Sequence, residues 1–117
     1  MKKTLILSFI LTIILCGCVK YEASTIKVEV QYPDESPKSE DFYLTEEETE
    51  KVLEILNNSE WEKGRTKTEY QYLFELTDDL YLYYVYESGL INDPINERHT
   101  YLADEDQIYI NSLLGYE

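Results

Sequence analysis

Two cysteines, one histidine and an excess of carboxylates are the residues of this chain that could do chemistry. Cys16 and Cys18 stand one residue apart, a spacing that strains a disulfide between them. Two thiols without further cysteines, and with His99 the only histidine, make a poor zinc set. His99 alone is expected to be structural or at the surface rather than a catalytic base. Ser88 has glycine on one side only, so no Gly-x-Ser-x-Gly elbow is present. Gly64, Gly89 and Gly115 are too widely spaced for a phosphate-cradling loop. Among the acids, Asp78 and Asp79 belong to a solvated turn. Asp93, Asn96 and Glu97 surround Pro94 and offer oxygen ligands for calcium, but the spacing is not that of an EF-hand, which favours a solvated turn. No cofactor is implied. A hydrolase would need two carboxyls converging in a cleft, at least one with a raised pKa.

The N-terminus carries a more specific pattern. Lys2 and Lys3 precede an uncharged stretch, residues 4–19, which Lys20 closes. A positive stub, a short apolar run and small residues form the layout of a secretory signal peptide. A membrane-spanning helix needs roughly 20 apolar residues, more than this run provides. At its end, Leu15-Cys16-Gly17-Cys18 resembles the lipobox of bacterial lipoproteins. Leu15 matches the aliphatic position and Gly17 the small residue before the cysteine. Cys16 occupies the intermediate position. The resemblance covers residues 1–18 only. It implies cleavage before Cys18 by signal peptidase II and a diacylglycerol thioether on Cys18. It further implies a bilayer anchor on the extracytoplasmic side of a bacterial membrane, in the cell envelope. Cys16 is the weaker acceptor, because the bulky Leu15 would then precede the cut. The expected organisation is a signal peptide over 1–17, a lipidated cysteine and short tether over 18–24, and one domain over 25–117.

Charge restricts the partners. The 117 residues carry 10 Lys+Arg against 24 Asp+Glu, a net charge of −14. Nucleic acid is excluded as a partner, because phosphate backbones are held mainly by clustered Lys and Arg. Removing 1–17 deletes only Lys2 and Lys3, leaving 8 basic and 24 acidic side chains, net −16. Such a polyanion is repelled by an anionic membrane surface. A protein partner is expected to be basic. With 44% hydrophobic and 14% aromatic residues, the chain is nonetheless rich enough in apolar groups to build a core.

Periodicity supplies the elements that must position these residues. Residues 25–32 alternate, with Ile26, Val28, Val30 and Tyr32 on one face of a strand. Residues 33–41 form a polar loop. Thr45 and Glu48 match a capping box opening a helix whose buried stripe is Thr49, Val52, Leu53, Ile55 and Leu56. The helix ends at 57–59, and a turn follows at 63–65. Residues 68–76 and 80–86 are strands joined by a turn at 77–79; the second has no polar position apart from tyrosine hydroxyls. Breaks follow at 87–89 and 92–94, then a weaker strand over 96–102. A last helix starts near Asp104, paired with Gln107 as a second cap. It turns Ile110, Leu113 and Leu114 inward and closes at Gly115. The expected fold is α+β: a small antiparallel sheet of about four strands with two helices on one face, in the order β-α-β-β-β-α.

Twelve tyrosines are the compositional anomaly. A three-residue turn at 77–79 puts Leu80, Leu82, Tyr84 and Tyr86 on the helix side with Phe74 and Leu76. Tyr81, Tyr83 and Val85 then face outward beside Leu73; a two- or four-residue turn reverses this. Leucines gain more from full burial, whereas tyrosine tolerates one wet end, which favours the first register. An open sheet face bearing aromatic rings, with acids at its margin, is a candidate contact surface. The functional expectation is a small, acidic, membrane-anchored protein-binding module of accessory, inhibitory or immunity-like kind, and not an enzyme. The alternatives are an envelope-polymer hydrolase using a carboxylate pair, or a small-ligand or calcium-binding envelope protein.

Overall fold

The computed structural model describes residues 19–64, 66 and 68–116. The lipobox residues Leu15, Cys16, Gly17 and Cys18 lie outside the described residues. Among the described residues, no helix is long and apolar enough to cross a membrane.

The elements are β1 (Lys27–Val30), β2 (Phe42–Tyr43), α1 (Glu46–Asn58), β3 (Glu62–Lys63), β4 (Tyr72–Thr77), β5 (Leu80–Val85), β6 (Leu90–Asp93), β7 (Arg98–Tyr101) and α2 (Asp104–Leu113). All strands join one antiparallel sheet in the order β2-β1-β4-β5-β6-β7-β3. The expected four-stranded sheet in the order β-α-β-β-β-α is therefore corrected to seven strands in the order β-β-α-β-β-β-β-β-α. The α+β character and the antiparallel pairing remain. Three strands escape a periodicity reading for physical reasons. Strands β2 and β3 are two residues each, too short to show alternation. Strand β6 carries Asn92 and Asp93, residues typical of turns, but tertiary partners satisfy their polar groups inside the sheet.

Helix α1 begins with the expected capping box. The Glu48 N–H donates to Thr45 Oγ1 (3.1 Å) and the Thr45 N–H donates to Glu48 Oε1 (2.9 Å). It buries Thr49, Val52, Ile55 and Leu56. Helix α2 lacks the expected Asp104–Gln107 cap: its N-cap is Ala103, and Gln107 Nε2 instead donates to the carbonyls of Tyr86 (2.9 Å) and Glu87 (3.1 Å). Its end is closed by Gly115 at φ +97°, with the Gly115 N–H on the Ser112 carbonyl and the Tyr116 N–H on the Asn111 carbonyl. That double bond pattern requires a left-handed residue, which glycine adopts without steric cost. Tyr32, expected inward, is 39% exposed, because Pro33 opens a 3₁₀ turn (Pro33–Glu35) just beyond β1.

The β4–β5 hairpin decides which residues face the helices. Thr77 pairs with Leu80 across a two-residue turn, but a bulge between Glu75 and Thr77 shifts the register by one. Glu75 then opposes Tyr81, Phe74 opposes Leu82, and Leu73 opposes Tyr83. The bulge restores the parity that a three-residue turn would give. Phe74, Leu76, Leu82 and Tyr84 are buried in one core with Val28, Leu56, Ile91, Ile110 and Leu114, so α1 and α2 cover the same sheet face.

Candidate functional site

The opposite face of the sheet carries a row running Glu29, Leu73, Tyr83, Asn92, His99 and Glu62 across successive strands. Half of it is covered by Gly64, Thr66, Tyr70 and Gln71, which lie over β5, β6 and β7. The Gly64 carbonyl bonds His99 Nδ1 (2.7 Å), the Thr66 N–H donates to Asn92 Oδ1 (2.9 Å), and the Tyr70 ring stacks on Tyr83 at 4.0 Å. His99 Nε2 also lies 3.3 Å from Glu62 Oε2. The lone histidine is thus a joint between this segment and the sheet.

What stays open is the part built by β1, β4 and β5. There Glu29, Leu73, Glu75, Asp78, Tyr81 and Tyr83 line a hollow of about 330 Å³. Tyr81 and Tyr83 stand at 5.6 Å with their rings inclined by 56°. Burial, together with the neighbouring Tyr70 and Tyr81 hydroxyls, pushes the Tyr83 phenol up to about 12, so it is a neutral donor at any physiological pH. Among the described residues, Glu29, Glu75 and Asp78 take part in no ion pair. The structure brings Leu73, Tyr81 and Tyr83 together on this face but not Val85. Val85 is 6% exposed, closed in by Leu90 across the ladder and by Gln71, whose N–H donates to the Tyr84 carbonyl and whose Oε1 accepts from the Tyr86 N–H. Sequence reasoning placed acids at the margin of this face without saying which. Period-2 positions mark Glu29 and Glu75 as outward and Asp78 belongs to the hairpin turn, but only the pairing of β1 with β4 brings Glu29 to the other two.

A second polar cluster sits among the core side chains at the end of the sheet near the β6–β7 turn. Asp93 is fully buried and its carboxylate is taken up by donors. Oδ1 accepts from the N–H groups of Ile95 (3.1 Å) and Asn96 (3.0 Å); Oδ2 accepts from the Tyr21 hydroxyl (2.6 Å) and Asn96 Nδ2 (2.8 Å). Arg98 Nε donates to the Tyr21 hydroxyl (2.9 Å), and its guanidinium lies over the rings of Tyr21 and Trp61 at 5.0 and 4.5 Å. Arg98 Nη2 is buried without a hydrogen-bond partner, its charge facing those aromatic surfaces instead. Glu97 closes the turn at φ 52°. The candidate calcium ligands Asp93, Asn96 and Glu97 therefore form a self-satisfied turn, with Asp93 saturated and buried where a solvated turn was expected. Among the described residues, no group of three or more His, Cys, Asp or Glu is gathered so as to hold a metal ion. Added millimolar calcium is accordingly expected to leave the melting temperature unchanged in scanning calorimetry; an upward shift would mean that the turn opens to bind it.

Tyr21 comes from the segment expected to be a short tether, yet it is 1% exposed. Its N–H donates to Asn57 Oδ1 (2.7 Å) and its carbonyl accepts from Asn57 Nδ2 (3.0 Å). Val19 and Ala23 pack against the same core. The chain is therefore held to the domain from three residues beyond Cys18. No protein-family model matches this chain, and no curated protein or solved structure is significantly similar to it.

Proposed function

We infer that this is a lipid-anchored envelope protein whose folded domain docks another protein through its open sheet face and does no chemistry of its own. The anchor rests on the lipobox-like Leu15-Cys16-Gly17-Cys18 behind a basic start and an apolar run. The observation that carries the docking role is the hollow of Leu73, Tyr81 and Tyr83, an aromatic surface left uncovered where the rest of that face is strapped by Gly64, Thr66, Tyr70 and Gln71. Exposed aromatic groups flanked by polar ones are the usual composition of a contact surface. A hydrolytic reading has less support: Asp93, the one fully buried carboxylate among the described residues, is already occupied by four donors.

Replacing Cys18 with Ser tests the anchor. The wild-type chain is expected to sediment with membranes after a carbonate wash and to show the mass of a diacylated N-terminus. The variant should keep its signal peptide and lose the lipid mass. Identical processing and identical sedimentation would remove the anchor. For the docking face, Tyr81→Ser with Tyr83→Ser should abolish cross-links formed in intact cells by photoreactive groups placed at Leu73. An unchanged cross-linking pattern would remove that surface.

A further inference from the structure

The open hollow has two properties that together specify its occupant. The first is charge. Three carboxylates, Glu29, Glu75 and Asp78, meet the rings of Tyr81 and Tyr83; Lys27 stands across the ladder from Glu75 but forms no ion pair with any of them, so this surface keeps a net negative charge. Three like charges on one small surface repel each other and concentrate the field of a chain that is already at −14. A cation relieves that repulsion, and an ammonium or guanidinium group also gains from the face of a tyrosine ring. An anion or an apolar group gains neither.

The second property is height above the anchor. A neighbouring hollow is lined by Ser24, Thr25 and Lys27 from the N-terminal segment and by Glu75, Thr77 and Asp78 from the β4–β5 hairpin. Glu75 and Asp78 belong to both hollows. Six residue steps separate Cys18 from Ser24, a contour of at most about 21 Å. Tyr21, clamped by Asn57, Asp93 and Arg98, keeps that short stretch from lengthening by local unravelling. The hollow therefore stands beside the bilayer to which Cys18 would be attached. This step rests on the lipid anchor proposed above; the charge argument does not.

We propose that the hollow of Glu29, Leu73, Glu75, Asp78, Tyr81 and Tyr83 binds a lysine- or arginine-bearing segment of a second protein that is held at the same membrane surface. The two acidic strands and the hairpin turn grip the cationic head groups, and the tyrosine rings and Leu73 cover their aliphatic stems. Anchoring both proteins in one bilayer raises the local concentration of one for the other, so a contact that is weak in solution becomes occupied.

The test uses the full acylated protein in phosphatidylcholine vesicles and a hexa-arginine peptide, either free or carrying a palmitoyl chain that places it in the same vesicles. Free peptide is expected to bind weakly, and several-fold more weakly at about 300 mM than at about 50 mM salt, because the contact is charge-dependent. The palmitoylated peptide should bind at least about tenfold more tightly by the gain in effective concentration. Glu75→Gln with Asp78→Asn should reduce both by about tenfold or more without altering the circular dichroism spectrum. Tyr83→Phe, which keeps the ring, should reduce them far less than Tyr83→Ser. Glu46→Gln with Glu47→Gln and Glu50→Gln, a loss of three charges from the far α1 face, should leave binding near the wild-type value. Equal losses from the α1 and hollow variants would mean attraction to the whole acidic surface and overturn the site. Binding of a hexa-glutamine peptide as tight as that of hexa-arginine would also overturn it. A chain that fails to float with vesicles, yet binds free hexa-arginine through the hollow, would remove the lipid anchor and leave the cation site standing.

Discussion

Asp93→Ala is expected to destabilise the domain by about 3–5 kcal/mol, the usual cost of removing one partner from a buried charge pair. Four donors lose their acceptor at once: the Tyr21 hydroxyl, Asn96 Nδ2, and the N–H groups of Ile95 and Asn96. Arg98, whose Nε lies 3.9 Å from Asp93 Oδ2, keeps its charge in a largely buried position with only the neutral Tyr21 hydroxyl and aromatic faces opposite. The loss also reaches the N-terminal segment, since Tyr21 is held to the sheet through Asp93. Urea denaturation followed by circular dichroism reads the change; against a typical total of about 5–15 kcal/mol it lowers the midpoint substantially. Asp93→Asn should lose less, because an amide oxygen still accepts from the turn. In the double variant with Arg98→Met, the orphaned cation is gone, so the two losses should add to more than the double variant shows. A change below about 1 kcal/mol in Asp93→Ala would mean that water fills the site at little cost.

The second large effect is alkaline unfolding driven by buried tyrosines. Tyr21 and Tyr84 are 1% and 0% exposed. Burial raises the Tyr21 phenol well above its ordinary value, and its bond to Asp93 raises it further while Arg98 opposes the rise. Burial raises Tyr84, with the nearby Tyr72 adding to it. Below about pH 10 both states are protonated and this stability is fully present. Above it the unfolded chain releases protons that the native state retains, so stability falls as pH rises. The slope is about 1.4 kcal/mol per pH unit for each group, which amounts to about 5 kcal/mol for the two between about pH 10 and about pH 12. Urea titrations across that range should show the midpoint dropping steeply, with phenolate absorbance appearing as the chain unfolds. Tyr84→Phe should make the slope shallower by that group's share, at the cost of the bond from its hydroxyl to Asn111 Oδ1 (2.5 Å). A midpoint that stays level to about pH 12 would mean that the phenols ionise within the folded state.

Both effects come from residues whose partners lie far away along the chain. Tyr21 and Asp93 are 72 positions apart, and Tyr21 and Arg98 are 77 apart. Asp93 before Pro94 has the composition of a turn, and it does sit at one. Nothing in local periodicity says that its carboxylate is buried under an N-terminal tyrosine. The same distance hides the binding hollow. Tyr81, Tyr83 and Leu73 are legible as outward because side chains alternate along a strand. Glu29 joins them only through the pairing of β1 with β4, which is set by the core packing of both strands.

Local rules, acting over a few residues, determined a good deal here. The capping box at Thr45 and Glu48 and the apolar stripe of α1 were readable because their partners are three or four positions away. So were the glycine closure of α2 and the inward and outward sides of β4 and β5. The charge balance, and with it the chemistry of an acceptable partner, needs only a count. Tertiary structure alone decided the rest: seven strands instead of four, the bulge that preserves the hairpin's parity, the strap that buries Val85, and the clamp on Tyr21. Each of these depends on contacts between segments distant in the chain. Their free energy comes from burial and from pairing of polar groups that exist only once the sheet has assembled.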